Sequence, residues 1–390
     1  MTTEFDFAAF PGPYVVTQAA ASGPVVNAAG QRSSFGPSLN RRSLLRYSAL
    51  AGAALGGAGL LAACGDDASD SSGGSTADGS KYGTVAVQLS WLKNIEFAGE
   101  YFADSKGYFK EAGFGSVNLI AGGAASTSVE AGLDTGKIWL GLSAPQTTAK
   151  AVLEGLPGKI IGTTYQKNPF AIVSSAAKPI KTPEDMKGRK IGVQDTNQLI
   201  FKALLTANGI KPNEVTIVPA QFDPSPLANG EVDGWVSYVT NEPITLTAKG
   251  FANTHFLFAD YNLPLVAETL TVKQATIDKE RDKLKAFLVA EIKGWKDAVA
   301  NPAESARLAV EVYGKDQKLD LAEQTLEAKA QNDLVTSADA TANGLLTMTD
   351  KLIEQNITAL RAADLDIKAD ELFDLSVLRE VYAENPGLKA

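Results

Sequence analysis

The 390-residue chain has one cysteine, Cys64, and one histidine, His255, and these two scarcities remove most metal and covalent chemistry. A lone cysteine cannot form an intrachain disulfide. A Cys/His zinc site takes about four ligands and cannot be assembled from one of each. Any Ser–His–Asp triad would have to use His255. That residue lies in Phe251-Ala252-Asn253-Thr254-His255-Phe256-Leu257-Phe258, a strand-like run where a structural or surface histidine is expected. Positive charge is also in deficit, with 36 Lys and Arg against 45 Asp and Glu. A nucleic-acid partner needs a basic face, and attachment to anionic lipid needs a polybasic segment; neither is present. No run is long and apolar enough for a good spanning helix, which takes roughly 20 residues. The best stretch, residues 47–63, is uncharged but short and rich in glycine.

That stretch has a different reading. Arg41 and Arg42 stand before it and Leu61-Ala62-Ala63-Cys64 closes it. Basic start, apolar run and small residues before a cut is the order of a secretory leader. The paired arginines point to the twin-arginine route, and Leu-Ala-Ala-Cys has the form of a bacterial lipoprotein cleavage box, with Cys64 as the lipidated residue. A lipidated Cys64 is no thiol nucleophile. Residues 65–80 are almost all Gly, Ser, Asp, Ala and Thr, a composition that stays a flexible tether. Residues 1–39 are long for a leader and are set aside as an extension or a misassigned start. Cutting before Cys64 leaves 32 basic and 43 acidic residues. The remaining 327 residues exceed the usual single-core size, so two lobes are expected.

After the tether, strand and helix alternate. Strands are expected at 84–89, 117–121, 138–142 and 159–163, then at 170–175, 190–193 and 215–218, with 230–236 a loop into a strand and 256–258 the next. Asn94 should cap a helix reaching about Ala112, and Thr182-Pro183-Glu184-Asp185 should start another. Near 263–271 the chain should return to the first unit, and the rest should be helical. Such alternation implies mostly parallel sheets covered on both faces. A lobe interrupted by a second lobe, with two crossings, makes a hinged clamshell whose ligands sit between the lobes.

Several stretches carry a family likeness. They are Leu89-Ser90-Trp91-Leu92-Lys93-Asn94-Ile95-Glu96-Phe97-Ala98-Gly99 with Lys106-Gly107-Tyr108-Phe109, then Gly141-Leu142-Ser143-Ala144, and Lys187-Gly188-Arg189-Lys190-Ile191-Gly192-Val193. The last is Asn229-Gly230-Glu231-Val232-Asp233-Gly234-Trp235, through Tyr238 to Asn241-Glu242-Pro243. In this order they resemble the substrate-binding proteins of ABC importers, in the group that carries thiamine pyrimidine precursors, aliphatic sulfonates, taurine and nitrate. The resemblance implies an α/β, two-lobed periplasmic-binding-protein clamshell (type II) with a helical C-terminal region. Its organisation would be leader and extension over 1–63, tether over 64–80, lobe 1 over 81–170 plus 265–390, and lobe 2 over 171–264. It implies a permease and an ATPase in the membrane as partners, contact with the membrane through the lipid anchor only, and no cofactor.

Trp91, Asn94, Tyr238 and Glu242 resemble the pyrimidine-precursor branch, in which an aromatic face stacks the ring and polar groups read its edges. The physical logic stands alone: a flat heterocycle gains from an aromatic wall, and a buried carboxylate accepts from a ring amino group. A sulfonate or nitrate site would offer helix amino ends and a cation instead; Asp195-Thr196-Asn197 before a helix keeps that option open. The candidate ligand contacts are Trp91, Asn94, Phe97, Ser143, Tyr165, Thr196, Trp235, Tyr238, Asn241 and Glu242. Core packing competes at Phe97 and Trp235, and helix capping at Asn94, Ser143 and Thr196. Relatives that synthesise the thiamine pyrimidine use a Cys-rich iron motif and an active-site histidine. This chain has no second cysteine and its one histidine lies outside the matched stretches, so a binding protein is expected rather than an enzyme.

Overall fold

Short runs of Val, Ile and Leu too brief for helices become strands, and the amphipathic segments between them become helices that cover the strands. The structure, a computed structural model, describes residues 79–123 and 126–389. Arg41, Arg42 and Cys64 lie outside the described residues, and with them the leader and anchor readings.

The first sheet contains β1 (Thr84–Gln88), β2 (Ser116–Ile120), β3 (Leu140–Ser143), β4 (Lys159–Tyr165) and β10 (Ala267–Val272), in the order β2-β1-β3-β10-β4. The second contains β5 (Phe170–Ser175), β6 (Lys190–Gln194), β7 (Thr216–Ala220), β8 (Gly234–Tyr238) and β9 (Asn253–Leu257), in the order β7-β6-β8-β5-β9. β1 runs parallel to β2 and β3, and β6 parallel to β7 and β8. β10 is antiparallel to both its neighbours, and so is β5. Four strands of each sheet therefore share a direction. The inverted fifth is in each case the strand by which the chain arrives from the other sheet. The chain crosses once between Tyr165 and Phe170 and once between Leu257 and Ala267.

One apolar core joins Val87, Leu140, Leu142 and Leu270 to the helices Ala98–Ser105 and Arg281–Ala300, through Phe102, Phe287 and Trp295. Another joins Ile172, Ile191, Val193 and Val236 to the helix Gln198–Ala207. The C-terminal helices serve both: Ser376–Glu384 gives Val377 and Val381 to the first core, and Asp350–Ala362 gives Ile357 and Leu360 to the second.

Local signals behave as their chemistry requires. Thr182 and Asp185 form a reciprocal capping box around Pro183. Gly209, at φ +69°, follows the Gln198–Ala207 helix in the left-handed conformation that suits glycine. The single helix expected from Asn94 to Ala112 is instead three pieces: a 3₁₀ turn Ile95–Phe97, then Ala98–Ser105, then Tyr108–Glu111. Gly107, at φ +76°, turns the chain between the last two.

Candidate functional site

Parallel strands leave their carboxyl ends and the following helix starts along one edge, where ligands of open α/β sheets collect. Here the two sheets bring those edges together. Ser90 and Trp91 follow β1, and Asn94 caps the next turn, its Oδ1 accepting from the Glu96 N–H at 3.0 Å. From the second sheet, the loop after β7 supplies Phe222, whose ring meets Trp91 edge-on with centroids 4.8 Å apart. Phe222 is 41% exposed, so this aromatic pair has one open side.

Tyr238 ends β8 and links three parts of the site. Its ring packs edge-on against Phe170 at 4.6 Å. Its N–H donates to Glu242 Oε2 at 2.9 Å, and its hydroxyl reaches across to Glu268 Oε1 on β10 at 3.4 Å. The other Glu268 oxygen accepts from Ser90 Oγ at 2.6 Å. A further bridge joins the sheets' helices, Thr245 Oγ1 donating to Glu323 Oε2 at 3.2 Å.

The electrostatics are one-sided. Burial pushes the Glu242 carboxyl up to about 7, against the pull of the backbone N–H bonds it accepts. Burial likewise pushes Glu268 up to about 7, against its bonds from Ser90 and Tyr238. Glu96 is raised well above the usual carboxylate range by burial first and the Glu268 charge second. Glu327 is raised by burial and then by Glu96. The Tyr165 and Tyr238 hydroxyls are driven up by burial and these same carboxyls. The groups acting on Glu96, Glu242 and Glu268 are carboxyls, hydroxyls and amides, not cations. Such a cleft repels an anion and has acceptors to offer a donor or a cation.

The candidates divide. Trp91, Asn94, Tyr238, Asn241 and Glu242 gather at this edge, Asn241 preceding the helix that Glu242 starts. Phe97 has no exposed surface and Trp235 is 1% exposed, both packed among apolar neighbours. Gly192 leaves room for the Trp235 ring, which a Cβ there would meet at 2.4 Å. Tyr165 is fully buried and donates to Gln331 Oε1 at 2.9 Å. Ser143 donates to the buried Glu130 Oε1 at 2.7 Å. Thr196 is exposed, and its hydroxyl lies 3.4 Å from Asn197 Oδ1. Sequence reasoning passed over Ser90, Glu96, Phe222, Glu268 and Glu327. For two of them a signal existed: Glu96 between Ile95 and Phe97, and Glu268 in Leu265-Val266-Ala267-Glu268-Thr269-Leu270, are acids inside apolar runs. Two surface hollows, of about 480 and 620 Å³, lie away from this edge, by Tyr82 and Arg281 and by Ile353 and Phe373.

A second acid pair lies behind the site. Glu100 and Glu291 are buried between the helices Ala98–Ser105 and Arg281–Ala300, with Trp295 Nε1 donating to Glu291 Oε1 at 3.1 Å. Burial and the facing carboxyl raise Glu100, and burial pushes Glu291 up to about 7. Folded-state values above the usual 4.5 mean that the folded protein holds protons the unfolded chain has already released. The stabilisation is full below about pH 4.5 and is lost as pH rises to about 7. At about 1.4 kcal/mol per pH unit, one such group contributes on the order of 3 kcal/mol. The melting temperature is therefore expected to fall between about pH 5 and pH 8. Glu291→Gln should flatten that slope in scanning calorimetry; a melting temperature that rises over this range contradicts the assignment.

The family model described as NMT1/THI5 like matches residues 94–305. The chain belongs to the NMT1/THI5-like family. The matched segment runs from the cap Asn94 past Glu268 and through the Arg281–Ala300 helix, so it includes most of the site. Among curated relatives, this NMT1/THI5-like chain is 28% identical to the riboflavin-binding protein RibY of Chloroflexus aurantiacus, over 62% of this chain and 69% of that one. It is 26% identical to a putative thiamine biosynthesis protein of Haemophilus influenzae, over 57% of this chain and 71% of that one. Among solved structures, the periplasmic aliphatic sulphonate binding protein SsuA of Escherichia coli matches with a TM-score of 0.55 at 16% identity. The match covers 72% of this chain and 86% of that one. The fold is thus the two-sheet α/β fold of periplasmic binding proteins, as the motif order implied. Among the described residues no helix is long and apolar enough to cross a membrane.

Proposed function

We propose that the protein is the extracytoplasmic solute-binding lipoprotein of an ABC importer, and that its solute is a small, flat, donor-bearing heterocycle held between the two sheets. A thiamine pyrimidine precursor fits, and a flavin ring belongs to the same chemical class. One observation carries the reading. Trp91 and Phe222, Tyr238 and Glu268 come from opposite sheets and meet at the strands' carboxyl ends, beside Glu242. An aromatic wall with carboxylate acceptors suits a ring that carries amino or imino hydrogens. The relative named as riboflavin-binding supports a heterocycle. Sulfonate and nitrate fit less well, because an anion would enter a cleft lined by buried acids, where the charges of Glu268 and Glu242 already raise Glu96.

In this reading the protein breaks no bond. The ligand bridges both lobes and favours the closed arrangement by its differential contacts. The paired arginines and Cys64 supply export and the lipid anchor, and a permease and an ATPase receive the solute.

A thermal-shift screen of aminopyrimidines, thiamine, riboflavin, alkanesulfonates, taurine and nitrate tests the ligand class. A ligand at 100-fold its Kd adds about 2.7 kcal/mol of stability. The shift should come from the heterocycles, and Glu242→Ala should remove most of it. Shifts from sulfonate or nitrate alone would reverse the ligand assignment. Cys64→Ala should move the protein from the membrane fraction to the soluble exported fraction with ligand affinity unchanged. Membrane retention of that variant would contradict the anchor.

A further inference from the structure

Glu268 combines three features that are separately uncommon. It is a carboxylate at 2% exposure on a strand whose every residue is buried. Its backbone is left-handed, at φ +51°, a conformation that costs a non-glycine residue energy and persists where the surroundings impose it. And its two oxygens face opposite partners: Ser90 of its own sheet at 2.6 Å, and the Tyr238 hydroxyl of the other sheet at a long 3.4 Å. β10 enters the first sheet antiparallel, so its first residues lie beside Ser143 at the end of β3. The left-handed turn of the backbone falls where the chain arrives from the second sheet.

A buried carboxylate has about four acceptor positions. Neutral hydroxyls fill part of that capacity here, and one of the two bonds is at the edge of hydrogen-bond range. Glu242 accepts from the Tyr238 N–H beside it, and the Glu268 charge acts on Glu96, Tyr165 and Tyr238. Adding a neutral donor would satisfy one lone pair. Adding a donor with positive character would also relieve the acid–acid repulsion. The Tyr238 hydroxyl stands where such a donor would go, bound to the same oxygen from the opposite sheet.

From this juxtaposition we propose that Glu268 is the specificity-determining residue of the cleft. It accepts a hydrogen bond from a protonated or amino nitrogen of the ligand, which takes the position of the Tyr238 hydroxyl. The ligand class narrows accordingly to heterocycles with a basic or amino-bearing nitrogen, ahead of rings in which a carbonyl replaces the amino group. The inference rests on the binding-protein reading given above.

The test is calorimetric titration of the full chain with three probes: 4-amino-5-hydroxymethyl-2-methylpyrimidine, its 4-oxo counterpart and taurine. Wild type should bind the amino compound at least tenfold more tightly than the oxo compound. Glu268→Gln, nearly isosteric, exchanges one acceptor oxygen for an amide donor. It should weaken the amino compound at least 20-fold and narrow or reverse the preference. Glu268→Ala should do the same, and circular dichroism of both variants separates lost binding from lost folding. Tyr238→Phe, which frees the Glu268 oxygen but keeps the ring, should retain the amino preference. If the probes bind and both Glu268 variants keep the wild-type preference within twofold, the specificity role is overturned while the binding-protein reading stands. If taurine alone binds, the heterocycle reading falls and this inference with it.

Discussion

Replacing Trp91 with alanine is expected to weaken heterocycle binding by roughly 10- to 100-fold while the fold stays intact. Trp91 is half-buried, and its partner Phe222 is an exposed aromatic on the far side of the cleft. Stacking of a planar base on an aromatic side chain is worth about 1–3 kcal/mol by alanine substitution, which sets the expected range. The loss is not replaced by another ring: Phe97 and Trp235 are sealed in cores, and Tyr165 is fixed by its bond to Gln331. Isothermal titration of the variant measures the effect, with circular dichroism as the folding control. An unchanged Kd would mean that the aromatic pair closes the lobes without touching the solute. Phe222→Ala should show a smaller loss, since that ring is more open to water.

Gly294→Ala is expected to lower the melting temperature by about 5 °C. The helices Arg281–Ala300 and Ala98–Ser105 pack together with small residues facing each other, Gly294 against Gly99 and Ala103. A Cβ at Gly294 would lie 2.1 Å from the Gly99 carbonyl oxygen and 2.9 Å from the Ala103 Cβ. The first of these is backbone, which cannot swing aside as a side chain would. Nor can the register slip, because the Trp295 indole fills the space over Gly99, where an added Cβ would come within 2.2 Å of the ring. Overpacking a tight contact costs about 1–3 kcal/mol, and more when backbone must move. With an unfolding entropy of about 2.1 cal/mol/K per residue, each kcal/mol is worth roughly 1.5 °C in a chain of this size. Moving these helices apart also pulls Glu291 from Glu100 and loosens the acid pair. A scan showing no change would contradict the close crossing.

Much of the fold was legible because its signals are local. β5 of the second sheet lies on the expected Phe170–Ser175 run, and β1 to β4 of the first sheet lie within a few residues of their expected places. Cap chemistry at Asn94 and Thr182 marked real helix starts. Helix breaks were harder to read: Gly107 looks like part of a helical pattern until its positive φ is known. The site was legible where residues follow a parallel strand, as Trp91 and Tyr238 do, since topology alone puts strand ends at the cleft. It was illegible where a contact depends on two distant segments meeting. Phe222 sits in an unremarkable loop, and Glu268 is 178 residues from Ser90. Candidates such as Ser143 and Phe97 have the right address along the chain, but Ser143 turns to the buried Glu130 and Phe97 into the core. Side-chain direction is a tertiary property, and a single sequence gives only the position.

A crystal structure with the tightest-binding aminopyrimidine tests the central claim most directly. The account predicts the ring between the two sheets, against Trp91 and Tyr238, with its amino group on a carboxylate of Glu268 or Glu242. A ring found elsewhere, for example in the hollow lined by Ile353 and Phe373, or a cleft occupied by an anion on helix amino ends, would contradict it.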